Sequence, residues 1–210
     1  GTIGPVLETL DLACLRGDRR LFRSLNLRLE AGWLLRVEGA NGSGKTSLLR
    51  LLAGLGLPAA GEVRWMGRPI RRQREAYAQA LHYLGHLGGL KEELTPTENL
   101  RIEAGLAGTA AVDEAAIAGA LSHWGIARQA QLPLRVLSAG QKRRAALARL
   151  TLSPAPLWIL DEPFNALDVD AAAQLGRLIE THVADGGLAV VTSHMPLPVA
   201  PARLQTVKLG

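Results

Sequence analysis

Short apolar runs of strand length alternate along the chain with segments of helical period. That pattern predicts a mostly parallel β-sheet with helices packed around it. LNLRLE, Leu25 to Glu30, alternates apolar and polar positions in the manner of a half-buried strand. LLRVEG, Leu34 to Gly39, is a second strand candidate and runs straight into a glycine-rich turn. KTSLLRLLAG then predicts a helix that Gly54 closes. GEVRWMGRPI predicts a hairpin turning at Gly67, which adds an antiparallel β portion. ALHYLG is a short strand, and TPTENL restarts helix with Thr95 as cap, Pro96 at the first helical position and Glu98 at the third. PLWILD (Pro156 to Asp161) and LAVVTS (Leu188 to Ser193) are near-continuous apolar runs, the mark of parallel strands buried on both faces.

From about Asn99 to Arg135 the texture becomes alanine-rich and helical, with no strand candidate. The expected organisation is therefore α/β: one unit over residues 1–210, with a core of residues 1–86 and 151–210 and an inserted helical subdomain at 87–150. At 210 residues and 48% hydrophobic content the chain can bury a substantial core.

Charge changes this picture little. Twenty-four Lys and Arg against nineteen Asp and Glu give a net charge of +5. That permits a polyanionic partner without requiring one. The arginines lack the interleaved aromatics that stack on bases, so no nucleic-acid partner is expected. Cys14 is the only cysteine, which excludes an internal disulfide and favours a reducing compartment. No apolar run approaches the roughly 18 residues of a spanning helix, and no secretory leader is evident. A soluble intracellular protein is expected, one that would need another chain to span a membrane.

The strongest chemical signal is GANGSGKT, Gly39 to Thr46. It matches G-x-x-x-x-G-K-[ST] in the strand–turn–helix context that a phosphate-binding loop requires. Gly39, Gly42 and Gly44 let the backbone approach phosphate oxygens. Lys45 would reach the β- and γ-phosphates, and the Thr46 hydroxyl would bind Mg²⁺. LWILDEP delivers Asp161 and Glu162 at the C-terminal edge of a buried strand, where α/β sheets hold their ligands. Asp161 fits a second Mg²⁺ contact, and Glu162 is placed to polarise an attacking water. TSH sets His194 just beyond a strand expected to neighbour the phosphate-bearing one, as a γ-phosphate sensor. VLSAGQKRRAALARL, Val136 to Leu150, opens with Ser138 and Gln141 in the spacing of a capping box. It continues as a basic helix whose N-terminus could also face an anion.

Taken in order, GANGSGKT, LSAGQ, LWILDEP, NALD and TSH resemble the ATP-binding-cassette ATPases, over nearly the whole chain. The resemblance implies ATP and Mg²⁺ as cofactors and nucleotide contacts along Gly39, Ala40, Asn41, Gly42, Ser43, Gly44, Lys45, Thr46 and Ser47. It implies a head-to-tail pair of copies in which Ser138, Ala139, Gly140 and Gln141 touch nucleotide held by the other copy. Asn165 to Asp168 would lie between the two sites, and integral membrane permease subunits would complete the complex. Ala139 stands where the family usually has glycine. No aromatic residue occupies the usual adenine-stacking position. Arg16 falls there and could stack through its guanidinium, with Phe22 a poorer candidate. His86 takes the place of the glutamine that normally links Mg²⁺ to the membrane partner, which makes it a candidate catalytic and metal residue. The short cassette, LGHLGGLKEELTPTENL and LSAGQKRRAALARL resemble most the haem-exporter ATPases of cytochrome c maturation. That implies haem-handling membrane proteins as partners. Another small exporter, a soluble non-transport cassette and a non-hydrolysing regulatory subunit are the competing readings.

Overall fold

The computed structural model describes residues 4–86, 89–106, 113–199 and 201–210. Two sheets form. In the first, β1 (Val6–Arg16) pairs antiparallel with β2 (Arg19–Glu30) and with β4 (Ala60–Trp65), and β4 turns at Met66 and Gly67 into the two-residue β5 (Arg68–Pro69). In the second, β6 (Leu81–Leu84), β7 (Leu157–Leu160), β8 (Leu188–Thr192), β3 (Leu34–Gly39) and β9 (Leu204–Leu209) lie side by side in that order, every pair parallel.

The parallel sheet is buried on both faces, which is why its central strands read as unbroken apolar runs rather than alternating ones. Along β7, Leu157 and Ile159 point one way, into a core shared with Leu35 and Val37 of β3 and with Leu48, Leu49 and Leu52 of α1 (Lys45–Leu52). Trp158 and Leu160 point the other way. There they meet Leu175, Ile179 and Val183 of α7 (Val169–Ala184).

The short α2 (Arg74–Gln79) precedes β6, and between β6 and β7 the described residues form α3 (Pro96–Leu106), α4 (Glu114–His123), α5 (Ala139–Leu147) and α6 (Arg149–Leu152). Thr95 Oγ1 accepts from the Glu98 N–H at 3.1 Å and Glu98 Oε1 accepts from the Thr95 N–H at 3.1 Å, so α3 starts at the expected cap. Leu100, Ile117, Leu121, Trp124 and Leu147 join this segment to the α7 side of the core.

Two strands, β1 and β9, and two helices, α2 and α7, lie outside the elements that periodicity picked out. β1 carries register shifts between Thr9 and Leu12, and again at Cys14, with Asp11 at φ +48°. Each bulge flips which residues face inward, and the period-two signal is lost. β9 is an edge strand, half exposed along most of its length, whereas α7 opens on an Asp168 cap and buries Ala171, Leu175, Ile179 and Val183 at helical spacing.

Two histidines are fixed in the sheet's α7 side. The His182 ring stacks on Trp158 at 3.7 Å between centroids and 5° between planes, and its Nε2 is 3.1 Å from Leu188 O. Gly187 makes the fit possible, since a Cβ there would overlap the His182 ring. His82 sits beside Trp158 in the β6–β7 register, with Nε2 2.7 Å from Ser153 O. Burial pushes both imidazoles below the ordinary value of 6.5, and the positive charge of Arg149 adds to this at His82. The folded state therefore favours the neutral rings. Their contribution to stability is complete above the unfolded value and is lost as pH falls through it toward the lowered folded values. Thermal unfolding between about pH 7.5 and pH 5.5 should show a falling midpoint, and His182→Phe should flatten that fall while costing about 1 kcal/mol near pH 8 for the lost bond to Leu188.

Candidate functional site

β3 ends by delivering the chain into the loop from Gly39 to Gly44. Gly39 has φ +154°, and a Cβ there would overlap the Ser43 hydroxyl and stand 2.7 Å from Leu209 O. Only glycine lets the loop close this tightly beside β9. Gly44 precedes α1 at φ +104° and supplies no side-chain cap. The first-turn N–H groups of α1 are thus left for an anion, reinforced by the helix dipole. Lys45 is only 8% exposed, and its Nζ donates to Gly39 O at 2.7 Å. The Ser43 hydroxyl is buried with no partner among the described residues. Cationic Lys45, uncapped N–H groups and an unmet hydroxyl together fit a phosphate chain.

Across the loop, β7 delivers Asp161 and Glu162, 1% and 4% exposed. Buried carboxylates need partners. Asp161 Oδ2 accepts from Thr46 Oγ1 at 2.8 Å, and its Oδ1 accepts from Thr192 Oγ1 at 2.7 Å. The Thr192 hydroxyl in turn accepts the Glu162 N–H at 2.8 Å. Glu162 has φ +50°, a left-handed conformation costly for a residue with a side chain and common where function over-determines the backbone. Its carboxylate is gripped twice by His194: Oε2 accepts the His194 N–H at 3.2 Å, and Oε1 lies 3.2 Å from the ring Nε2.

These groups border a cleft of about 150 Å³ lined by Arg16, Leu21, Asn41, Gly42, Gly44, Lys45, Thr46, Ser47, His86, Glu162 and His194. Gly39 and Ala40 line an adjoining hollow with Asn41 and His194. Residues far apart in sequence, Arg16, His86 and His194, thus share one opening. Phe22 lies behind the loop, with a ring carbon 3.4 Å from where a Gly44 Cβ would stand, and packs on the core. Among the described residues no cluster of three His, Cys, Asp or Glu side chains forms a protein-only metal cage. The Thr46 and Asp161 oxygens nevertheless suit Mg²⁺, which is held by one or two protein oxygens together with phosphate and water.

Ser138, Ala139, Gly140 and Gln141 do not line this cleft. Ser138 Oγ accepts the Gln141 N–H at 3.1 Å and Gln141 Oε1 accepts the Ser138 N–H at 3.0 Å, so the capping box is complete. Ala139 is exposed and its methyl is accommodated, whereas a Cβ on Gly140 would come within 2.9 Å of Ala166 O.

The ABC transporter family profile matches residues 22–165. The chain belongs to the ABC transporter ATPases. This ABC ATPase is 57% identical over 188 residues to the cytochrome c biogenesis ATP-binding export protein CcmA of Methylococcus capsulatus, covering 90% of each chain. To the protein of the same name from Nitrosospira multiformis it is 50% identical over 205 residues, 98% of this chain and 99% of that one. A solved ATP-binding subunit of an ABC transporter superposes with a TM-score of 0.80 at 27% identity, over 92% of this chain and 80% of the other. The ABC ATPase is thereby of the CcmA type.

One residue of the site was not legible as such. Thr192 closes an apolar strand and reads as a strand end, yet in the parallel register Leu160 pairs with Val191, so the next step sets Thr192 beside Asp161. A polar residue ending the strand that neighbours LWILDEP was the available signal. Thr192→Val should lower stability by about 1–3 kcal/mol, because it strands the Glu162 N–H, and should reduce ATP turnover, while Thr192→Ser keeps both. Chemical denaturation and a phosphate-release assay check this.

Proposed function

We propose that this cassette is the ATP-hydrolysing motor subunit of a membrane transport complex that works in haem export or haem release for cytochrome c assembly. The observation that carries the catalytic part is the convergence of Thr46, Asp161, Glu162, Thr192 and His194 opposite the phosphate loop. In this reading Lys45 and the first-turn N–H groups of α1 bind the β- and γ-phosphates. Thr46 and Asp161 hold Mg²⁺, which when bound neutralises phosphate charge. Glu162 polarises the attacking water, and His194 both holds Glu162 in place and contacts the γ-phosphate. Phosphoryl transfer needs little covalent help, so preorganised positioning and charge are the expected sources of rate.

Arg16 lies at the cleft mouth and stacks on adenine. His86 stands where the site meets the helical segment and completes the Mg²⁺ environment. The cleft is smaller than the about 300–1,000 Å³ of complete ligand pockets, so it accommodates the phosphate end of a nucleotide. A second copy, packed head to tail, supplies Ser138, Ala139, Gly140 and Gln141 over the γ-phosphate. Residues 87–150 act as a helical subdomain that carries this surface. No helix among the described residues is long and apolar enough to cross a membrane. In this reading membrane attachment is peripheral, on the cytoplasmic face, through permease subunits. The assignment to cytochrome c biogenesis and export follows the names of relatives that align over 90% or more of this chain, and haem as cargo follows the resemblance of LGHLGGLKEELTPTENL and LSAGQKRRAALARL.

Glu162→Gln should bind ATP yet accumulate a closed dimer, with turnover reduced by at least about a hundredfold. Size-exclusion chromatography with ATP and a phosphate-release assay read the two effects, and near-normal turnover would reject the assignment. Ser138→Arg should leave the fold and ATP binding by the isolated chain intact while abolishing hydrolysis.

A further inference from the structure

Three consecutive cations follow the Ser138 cap on α5, and each ties the helix to a different segment. Lys142 Nζ meets Glu92 Oε1 and Oε2 at 3.1 and 3.0 Å. Arg144 Nη2 meets Asp168 Oδ2 at 2.7 Å, at the head of α7. Arg143 Nη2 donates to His86 O at 3.0 Å, on the segment that borders the nucleotide cleft. The first and third are exposed-rim ion pairs. The Arg143 bond to His86 is exposed as well, but the rest of its guanidinium is not. Its Nη1 is buried with no hydrogen-bond partner among the described residues, and the Asp161 and Glu162 carboxylates favour its charge. Burial works against that charge, and the two carboxylates work for it.

We infer that Arg143 is a positioning residue coupling the nucleotide site of its own chain to the Ser138 end that this chain presents to its partner's nucleotide. The inference deepens the head-to-tail reading and rests on it. One rigid helix carries both groups, five residues apart, so a shift at Arg143 moves Ser138. An unmet buried donor favours any arrangement that brings it an acceptor. A nucleotide arriving at Thr46 and Asp161 changes the charge that Arg143 faces, and with it the preferred placement of the guanidinium. The His86 carbonyl anchors the same side chain to the cleft rim, so both inputs converge on α5. A planar guanidinium can meet a carbonyl and a carboxylate at once, which an ammonium does not do as well. Coupling of this kind is a free energy between two sites, carried by a shared element.

The test compares the full chain with Arg143→Gln, Arg143→Lys and Lys142→Gln. Hydrogen exchange of amides 139–142 is measured with and without Mg·ATP, at concentrations where light scattering reports a monomer. Nucleotide should change exchange there in the parent and in Lys142→Gln, and should leave it unchanged in Arg143→Gln. In the assembled complex Arg143→Gln should lower kcat about tenfold with KM within about twofold, and Arg143→Lys should restore part of the loss. Nucleotide-dependent exchange persisting in Arg143→Gln overturns the inference. So does a parallel fall of melting temperature, ATP affinity and kcat, which marks a purely structural role. If Arg143→Gln does not fold, Arg143→Lys carries the same readouts, with a reduced nucleotide response expected and a full one overturning the proposal. Normal hydrolysis by Ser138→Arg would instead overturn the head-to-tail reading, and the exchange measurement on the monomer is independent of it.

Discussion

The Thr192 hydroxyl is the joint on which the nucleotide site depends. It is fully buried, donates to Asp161, and accepts the N–H of Glu162. Two carboxylates are consecutive in sequence, and the sheet must send them in different directions. The left-handed turn at Glu162 does this, and such a turn persists only where its surroundings hold it. With Thr192 in place, Asp161 faces Thr46 under the phosphate loop and Glu162 faces His194 at the cleft. The parallel pairing of β7 with β8 supplies the hydroxyl, so the register of two buried strands decides which carboxylate does what.

Polar contacts fix α5 to three different segments around it. Lys142, Arg143 and Arg144 look like a solvated basic face, and each is instead committed to a different partner. Exposed pairs of this sort contribute little to stability individually. Their value lies in orientation: three contacts in three directions leave α5 few ways to turn. The close approach of Gly140 to the Ala166 carbonyl adds a steric stop from the loop that follows Glu162.

Much of this was legible in the sequence, for identifiable reasons. The phosphate loop, the buried strands LWIL and LAVVT, the Thr95 cap and the Ser138 box are local signals, written in neighbouring residues, and they appear in the structure at those places. β1 was not legible, because its bulges break the alternation that identifies strands. Thr192 and Arg143 were not legible for a different reason. Their roles come from a strand register and from a helix packed over a loop 57 residues away in sequence, and neighbouring residues do not show which partner either one meets. The convergence of Arg16, His86 and His194 on one cleft likewise needed three dimensions.

The starts of α1 and α5 contrast in a way that bears on the proposed role of Ser138 as both cap and binding group. α1 begins without a side-chain cap, so its N–H groups await a ligand. α5 begins with a complete box, which would seem to use up its recognition groups. The chemistry of the hydroxyl removes the conflict. Ser138 Oγ accepts from the Gln141 N–H, and a serine hydroxyl carries a proton to donate as well. That proton has no acceptor among the described hydrogen bonds, and Ser138 is exposed. The cap orients the hydroxyl backward as an acceptor and leaves it free forward as a donor. A second chain's phosphate would meet a group already fixed in place, with little conformational entropy left to lose. Under the proposed head-to-tail pairing, capping would preorganise Ser138 for a site assembled from two chains.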